Sequence, residues 1–180
     1  MMTQIPNFLT LLRIAMVPVI VVLLDNRQYE LALITFVLAG ITDGLDGWIA
    51  KRFDMQSAIG AMLDPIADKV LLISTYGMLA YLQDIPFWLL VIVLFRDFLI
   101  VGGYWFLIAM QSPPKVKPIL ISKVNTFMQI ILVIMVLVSK SGLLELAALL
   151  EVAFVIVFVT SFLSGFSYIA GGMRQLRSEQ

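Results

Sequence analysis

Four aspartates, Asp43, Asp46, Asp64 and Asp68, fall within 26 residues at gaps that repeat the turn of a helix. Asp43 and Asp46 are i, i+3 and Asp64 and Asp68 are i, i+4, so each pair occupies one helical face. All four lie in or beside long apolar runs, where an ionised carboxylate at the centre of a bilayer costs at least ~2.5–3.5 kcal/mol. Gly47, Ala50 and Gly60 fall on the same faces and leave room for a ligand against the backbone. The short Lys51–Ser57 turn makes the two helices antiparallel neighbours, so the two acidic stripes can face each other. Four carboxylates so placed repel one another in a low dielectric. One or two divalent cations relieve this and leave coordination positions open for phosphate oxygens. Paired metals can clamp the attacking and leaving oxygens of a phosphoryl transfer. The competing reading pairs these aspartates with Lys51, Arg52, Lys69 or Arg96 as structural glue.

Composition narrows the chemistry further. The chain has no cysteine and no histidine. Thiol nucleophiles, disulfides and Cys-type zinc sites are excluded, and so is the commonest general base. Carboxylates, Lys, Arg, Tyr and hydroxyls remain, a donor set that favours Mg²⁺, Mn²⁺ or Ca²⁺ over Zn²⁺. The 12 basic and 12 acidic residues cancel, so nothing suggests a nucleic-acid surface. Hydrophobic residues make up 61% of the 180 positions, against about 45–50% in soluble domains, and the mean hydropathy is +1.02.

The elements that must position the aspartates are membrane helices. A helix crosses a bilayer with ~20 apolar residues. Six runs reach that length, at 8–24, 31–50, 58–82, 87–109, 119–138 and 147–171. The expected fold is therefore all-α: one polytopic domain over 1–180 with six transmembrane helices joined by short loops. The first run lacks a basic leading segment and is read as retained rather than as a signal peptide. Lys51, Arg52, Lys115, Lys117, Arg174 and Arg177 gather in one set of loops and the tail, against Arg27 and Lys140 in the other. The first set is expected to be cytoplasmic, with both termini on that side. Asp43 then lies about 12 Å from the cytoplasmic loop at 1.5 Å per residue. Asp64, Asp68, Arg13 and Lys123 fall in the same half of the membrane, and Arg96-Asp97 near mid-depth. That alignment predicts one polar cavity open to the cytoplasm.

The string Asp43-x2-Asp46-Gly47-x2-Ala50-Lys51-x8-Gly60-x3-Asp64-x3-Asp68 resembles the signature of the CDP-alcohol phosphotransferase family. It agrees at every fixed position but one, where Lys51 stands in place of arginine. The resemblance implies that Asp43, Asp46 and Asp64 hold one Mg²⁺ or Mn²⁺, and that Asp43, Asp64 and Asp68 hold or border a second. It makes Asp68 the general base on the acceptor hydroxyl. Gly47, Ala50, Lys51, Ser57 and Gly60 would line the CDP-diacylglycerol donor site. Lysine grips phosphate as a point charge rather than bidentately, so the departure bears on donor affinity. The resemblance also implies a homodimer.

Ile5-Pro6-Asn7-Phe8-Leu9-Thr10-x2-Arg13 resembles the N-terminal segment of the phosphatidyl-transferring branch, which places Asn7 and Thr10 at the donor. Asn7 also reads as a helix cap. Arg13 either snorkels to the cytoplasmic surface or binds phosphate. Arg96-Asp97 is either a self-paired buried ion pair or, with Lys123, part of the acceptor site. Together with Lys117-Pro118-x3-Ser122-Lys123-Val124-Asn125-Thr126, that dipeptide resembles the CMP-forming cardiolipin synthase group. The related phosphatidylglycerophosphate synthases carry a second lysine where this chain has Asn125. One cation fewer suits a phosphodiester acceptor, phosphatidylglycerol, better than the dianion of glycerol-3-phosphate. The expected activity is phosphatidyl transfer on the cytoplasmic side of an integral membrane enzyme, with membrane lipids as its surroundings. A divalent-cation transporter would instead need acidic residues on a path open to both faces, and the outer halves of the spans are nearly uncharged.

Overall fold

The computed structural model describes the backbone over residues 4–52, 58–109 and 120–178, and side chains within 10–44, 67–103 and 120–171 together with 108 and 173. Six helices account for nearly all of it: α1 Gln4–Asp25, α2 Tyr29–Arg52, α3 Ala58–Tyr81, α4 Phe87–Ala109, α5 Leu120–Lys140 and α6 Ala147–Ser178. The expected all-α class holds, and each helix coincides with one expected apolar run to within a few residues at its start. The last helix continues past 171, carrying the chain into its basic tail.

The helix ends are set by backbone geometry. Arg27 (φ 58°) and Gln83 (φ 62°) adopt the left-handed conformation just beyond α1 and α3, as does Gly142 (φ 78°) beyond α5. At the first of these ends the Gln28 N–H donates to Leu23 O at 2.9 Å and the Arg27 N–H to Leu24 O at 2.9 Å. At the second the Asp84 N–H donates to Leu79 O at 2.8 Å and the Gln83 N–H to Ala80 O at 3.1 Å. These paired bonds are Schellman caps, which satisfy the last carbonyls of a helix.

Burial along the helices alternates in steps of three and four. On α1 the buried positions are Thr10, Arg13, Val17, Ile20 and Leu24, and on α2 Tyr29, Ala32, Phe36 and Ala39, whose next step is Asp43. On α6 they are Leu150, Phe154, Val157, Ser161 and Ser164. This 3.5-residue period is that of helices packed at shallow crossing angles. Each of these stripes is apolar along most of its length and turns polar at one end.

Outward faces are apolar instead. Leu11, Val22, Phe95, Phe98, Phe127, Val155, Phe162 and Phe166 are all exposed. A surface of that kind needs a lipid environment or a partner to cover it. Among the described residues, Leu120–Lys140 and Ala147–Gly171 are long and apolar enough to cross a membrane. The other four helices carry ionisable groups along their length, among them Arg13, Asp43, Asp68 and Arg96.

The chain divides into two compact units, Met1–Ile85 with Val133–Glu145, and Pro86–Leu132 with Leu146–Gln180. In the first, α1 packs against both α2 and α3; in the second, α4 packs against α6. The first unit closes at one end through Asp84, whose carboxylate is buried. The Tyr29 hydroxyl donates to it at 2.7 Å, Lys140 Nζ sits 2.7 Å away and Arg27 Nη1 3.8 Å. Arg27 Nη1 also donates to the Tyr29 hydroxyl at 2.8 Å. One buried carboxylate thus ties together the α1–α2 connection, the α3 end and the α5 end.

Candidate active site

The polar end of the α1 stripe meets the acidic helices. Arg13 is wholly buried, and its two terminal nitrogens divide between two helices. Nη2 lies 2.6 Å from Asp43 Oδ1 on α2, and Nη1 donates to Asp68 Oδ1 on α3 at 2.6 Å. The guanidinium side chain is 0% exposed, while Asp43 and Asp68 are 43% and 48% exposed. The fork therefore sits beneath two carboxylates that each keep an open side. Arg13 does not snorkel to the surface. Arg13 of the first helix is a cation that offsets both Asp43 and Asp68, while Lys51 and Arg52 lie outside the residues whose side chains are described.

Packing explains why this residue type is needed. Because α1 touches both α2 and α3, one planar cation with two parallel donors can bridge them, whereas an ammonium offers a single nitrogen. Thr10 lies buried one turn earlier on the same stripe. Asn7, Asp46, Gly47, Ala50, Lys51, Ser57, Gly60 and Asp64, expected at the metal and donor sites, lie outside the residues whose side chains are described. Among the described residues no group of three metal-ligating side chains comes together. The two described carboxylates nevertheless fit a hard cation. Each commits one oxygen to Arg13, and both reach the same point from different helices.

The second unit holds a different polar centre. Arg96 Nη1 pairs with Asp97 Oδ1 at 2.7 Å, which is the self-paired arrangement. The same guanidinium reaches other helices: Nε donates to Ser164 Oγ at 3.1 Å, and Nη2 donates to Ser164 Oγ at 3.0 Å and also to Ser122 Oγ. On the next turn of α5, Asn125 is fully buried. Its Oδ1 accepts from Ser161 Oγ at 2.9 Å and faces Thr160 Oγ1 at 2.8 Å. Thr160 Oγ1 also lies 2.9 Å from the Ile156 carbonyl, and its one proton serves one acceptor at a time. Asn125 Nδ2 has no hydrogen-bond partner among the described residues. Lys123 is exposed.

Ser122, Thr160, Ser161 and Ser164 were not foreseen as partners of these groups. A hydroxyl in an apolar helix reads first as bonding back to its own turn. The available signal was their spacing, since Ser161 and Ser164 continue the buried line of Leu150, Phe154 and Val157.

Comparison with known proteins converges on one group. The family model described as CDP-alcohol phosphatidyltransferase matches residues 3–163. A cardiolipin synthase (CMP-forming) of Homo sapiens is 32% identical, over 96% of this chain and 63% of that protein. The same enzyme of Rattus norvegicus is 37% identical, over 72% and 48%. A CDP-diacylglycerol–glycerol-3-phosphate 3-phosphatidyltransferase of Rickettsia typhi is 34% identical, over 93% and 96%. The chain thus spans less than two thirds of each of these two cardiolipin synthases, but nearly all of the rickettsial protein.

Proposed function

Since the chain belongs to the CDP-alcohol phosphatidyltransferase family, we propose that it moves a phosphatidyl group from CDP-diacylglycerol to a hydroxyl of phosphatidylglycerol, forming cardiolipin and CMP. The observation that carries the transferase reading is the Arg13 fork, which brings Asp43 and Asp68 of the signature to one point. The acceptor oxygen attacks the phosphorus that bears the diacylglycerol. The bond from that phosphorus to the bridging oxygen breaks, and CMP leaves with the electron pair. Asp68 takes the acceptor proton on the oxygen that Arg13 does not hold. Arg13 fixes the direction of both carboxylates. Lys51 holds donor phosphate by charge.

Asp43, Asp46, Asp64 and Asp68 are the residues that would hold Mg²⁺ or Mn²⁺, as one or two ions. When bound there, such an ion would supply Lewis-acid neutralisation of the diphosphate charge. Six membrane crossings, with both termini and the site on the cytoplasmic face, complete the proposal, together with assembly as a homodimer. The basic loops support that orientation. So does the Asp84 cluster, which gathers at one end the less basic loops expected on the other face.

The acceptor assignment rests on Asn125, a neutral and buried amide with a spare donor, and on Arg96 and Lys123 as the cations serving the acceptor phosphate. The second reading is glycerol-3-phosphate as acceptor, giving phosphatidylglycerophosphate. It is favoured by the full-length match to the rickettsial enzyme. Purified protein supplied with CDP-diacylglycerol and each acceptor in turn separates them. Cardiolipin is expected from phosphatidylglycerol, with little product from glycerol-3-phosphate. Phosphatidylglycerophosphate formed while phosphatidylglycerol is ignored would overturn the acceptor assignment and leave the transferase reading intact.

A further inference from the structure

The Asp84 cluster closes one end of the first unit and leaves a pocket above it. That pocket, about 340 Å³, is lined by Arg27, Tyr29, Glu30, Leu31, Lys140 and Ser141, among others. Arg27 stands fourteen residues beyond Arg13, about 21 Å along the helix at 1.5 Å per residue. It is therefore separate from the carboxylates of the candidate active site.

The charges around the pocket do not cancel by direct contact. Lys140 and Arg27 both face Asp84, at 2.7 and 3.8 Å, so two cations share one buried anion. Glu30 is exposed on the same wall and forms no ion pair among the described residues. A surplus cation and an unmatched carboxylate thus border one pocket without meeting. Their separation suits a ligand that carries both signs. Ser141 adds a hydroxyl to the wall.

An apolar track begins at the same place. Leu31 lines the pocket, and Leu31, Ile34, Leu38 and Ile41 are all exposed at i, i+3, i+7 and i+10 of α2. They form one face about 15 Å long. A headgroup pocket that opens onto an apolar track of that length has the outline of a phospholipid.

We propose that this pocket binds an aminophospholipid of the bilayer. Its phosphate lies against Arg27 and Lys140, its primary ammonium against Glu30, and an acyl chain along Leu31, Ile34, Leu38 and Ile41. The ammonium donates hydrogen bonds to the carboxylate, which a trimethylated headgroup cannot do. The proposal rests on the membrane reading of the helices and not on the acceptor assignment.

Native mass spectrometry of the purified full chain tests it, with phosphatidylethanolamine and phosphatidylcholine of identical acyl chains offered in turn. Retention of phosphatidylethanolamine is expected to exceed that of phosphatidylcholine by roughly two- to five-fold, the net worth of one hydrogen bond at a partly exposed site. Glu30→Ala is expected to bring the two lipids level. It should do so without moving the unfolding midpoint or the rate of phosphatidyl transfer in detergent, since Glu30 supports no other side chain. Arg27→Gln is expected to lower retention of both lipids. Equal retention by the unaltered protein would overturn the proposal, as would an ethanolamine preference that survives Glu30→Ala.

Discussion

Replacing Arg13 by methionine tests the candidate site most directly. The substitution removes two contacts of 2.6 Å and keeps an unbranched, uncharged side chain in the buried position. A hydrogen bond to a charged group contributes about 1.5–3 kcal/mol. Both carboxylates are close to half exposed, at 43% and 48%, so water recovers a large part of that, leaving about 1 kcal/mol per contact. Methionine also relieves the cost of burying a guanidinium. The net loss of stability is therefore about 1–2 kcal/mol, well short of the ~3–5 kcal/mol expected when a fully buried pair is broken. Arg13→Lys should lose about half as much, because one nitrogen cannot serve two helices. Catalysis should suffer more than folding, with turnover falling at least ~10²-fold in the methionine variant as Asp68 loses its orientation. Reversible unfolding in mixed micelles, followed by tryptophan fluorescence, measures the first quantity, and CMP release measures the second. An Arg13→Met protein with an unchanged unfolding midpoint, and turnover within a factor of two of the original, would refute the bridging role. A methionine variant no worse than the lysine variant would refute the fork geometry.

Three further outcomes are expected. Excess EDTA should reduce CMP release to background and Mg²⁺ or Mn²⁺ should restore it; full turnover in EDTA, with no metal in the protein, would remove the carboxylate-metal chemistry. Lys51→Ala should raise the donor KM roughly tenfold or more, the worth of one charge-assisted contact, whereas Lys51→Arg should be tolerated; unchanged donor kinetics in the alanine variant would make Lys51 a topology residue. Gln83→Gly should stabilise the protein by up to about 1 kcal/mol, because glycine adopts positive φ without a Cβ clash; an unfolding midpoint shifted downward would count against the cap geometry.

The positions of the helices were legible in the sequence because apolar length and polar breaks are local signals. Asp43 and Asp68, which the structure brings to one guanidinium, were legible as part of a set of spacings. What joins its members was not. Arg13 is thirty residues from Asp43 and fifty-five from Asp68, and only the packing of α1 against both α2 and α3 makes it their common partner. The Arg96-Asp97 pair could be read from adjacency, but the reach of the same guanidinium to Ser122 and Ser164 could not. The ends of α1 and α3 were legible from their polar breaks, but the left-handed caps at Arg27 and Gln83 were not, since such a cap usually announces itself by glycine.

The first helix is held at two levels. At one, Arg13 grips the two helices beside it; about 21 Å further on, the turn that follows it is bound through Arg27 and Tyr29 to Asp84. A rod fastened at both ends can neither slide along its axis nor pivot about either fastening. A shift of one helical turn, about 5.4 Å, would break both sets of contacts together. The same two fastenings hold α2, through Asp43 and Tyr29, and α3, through Asp68 and Asp84. Mechanically, the three helices are braced at two heights as one frame, so the open sides of Asp43 and Asp68 keep a fixed spacing.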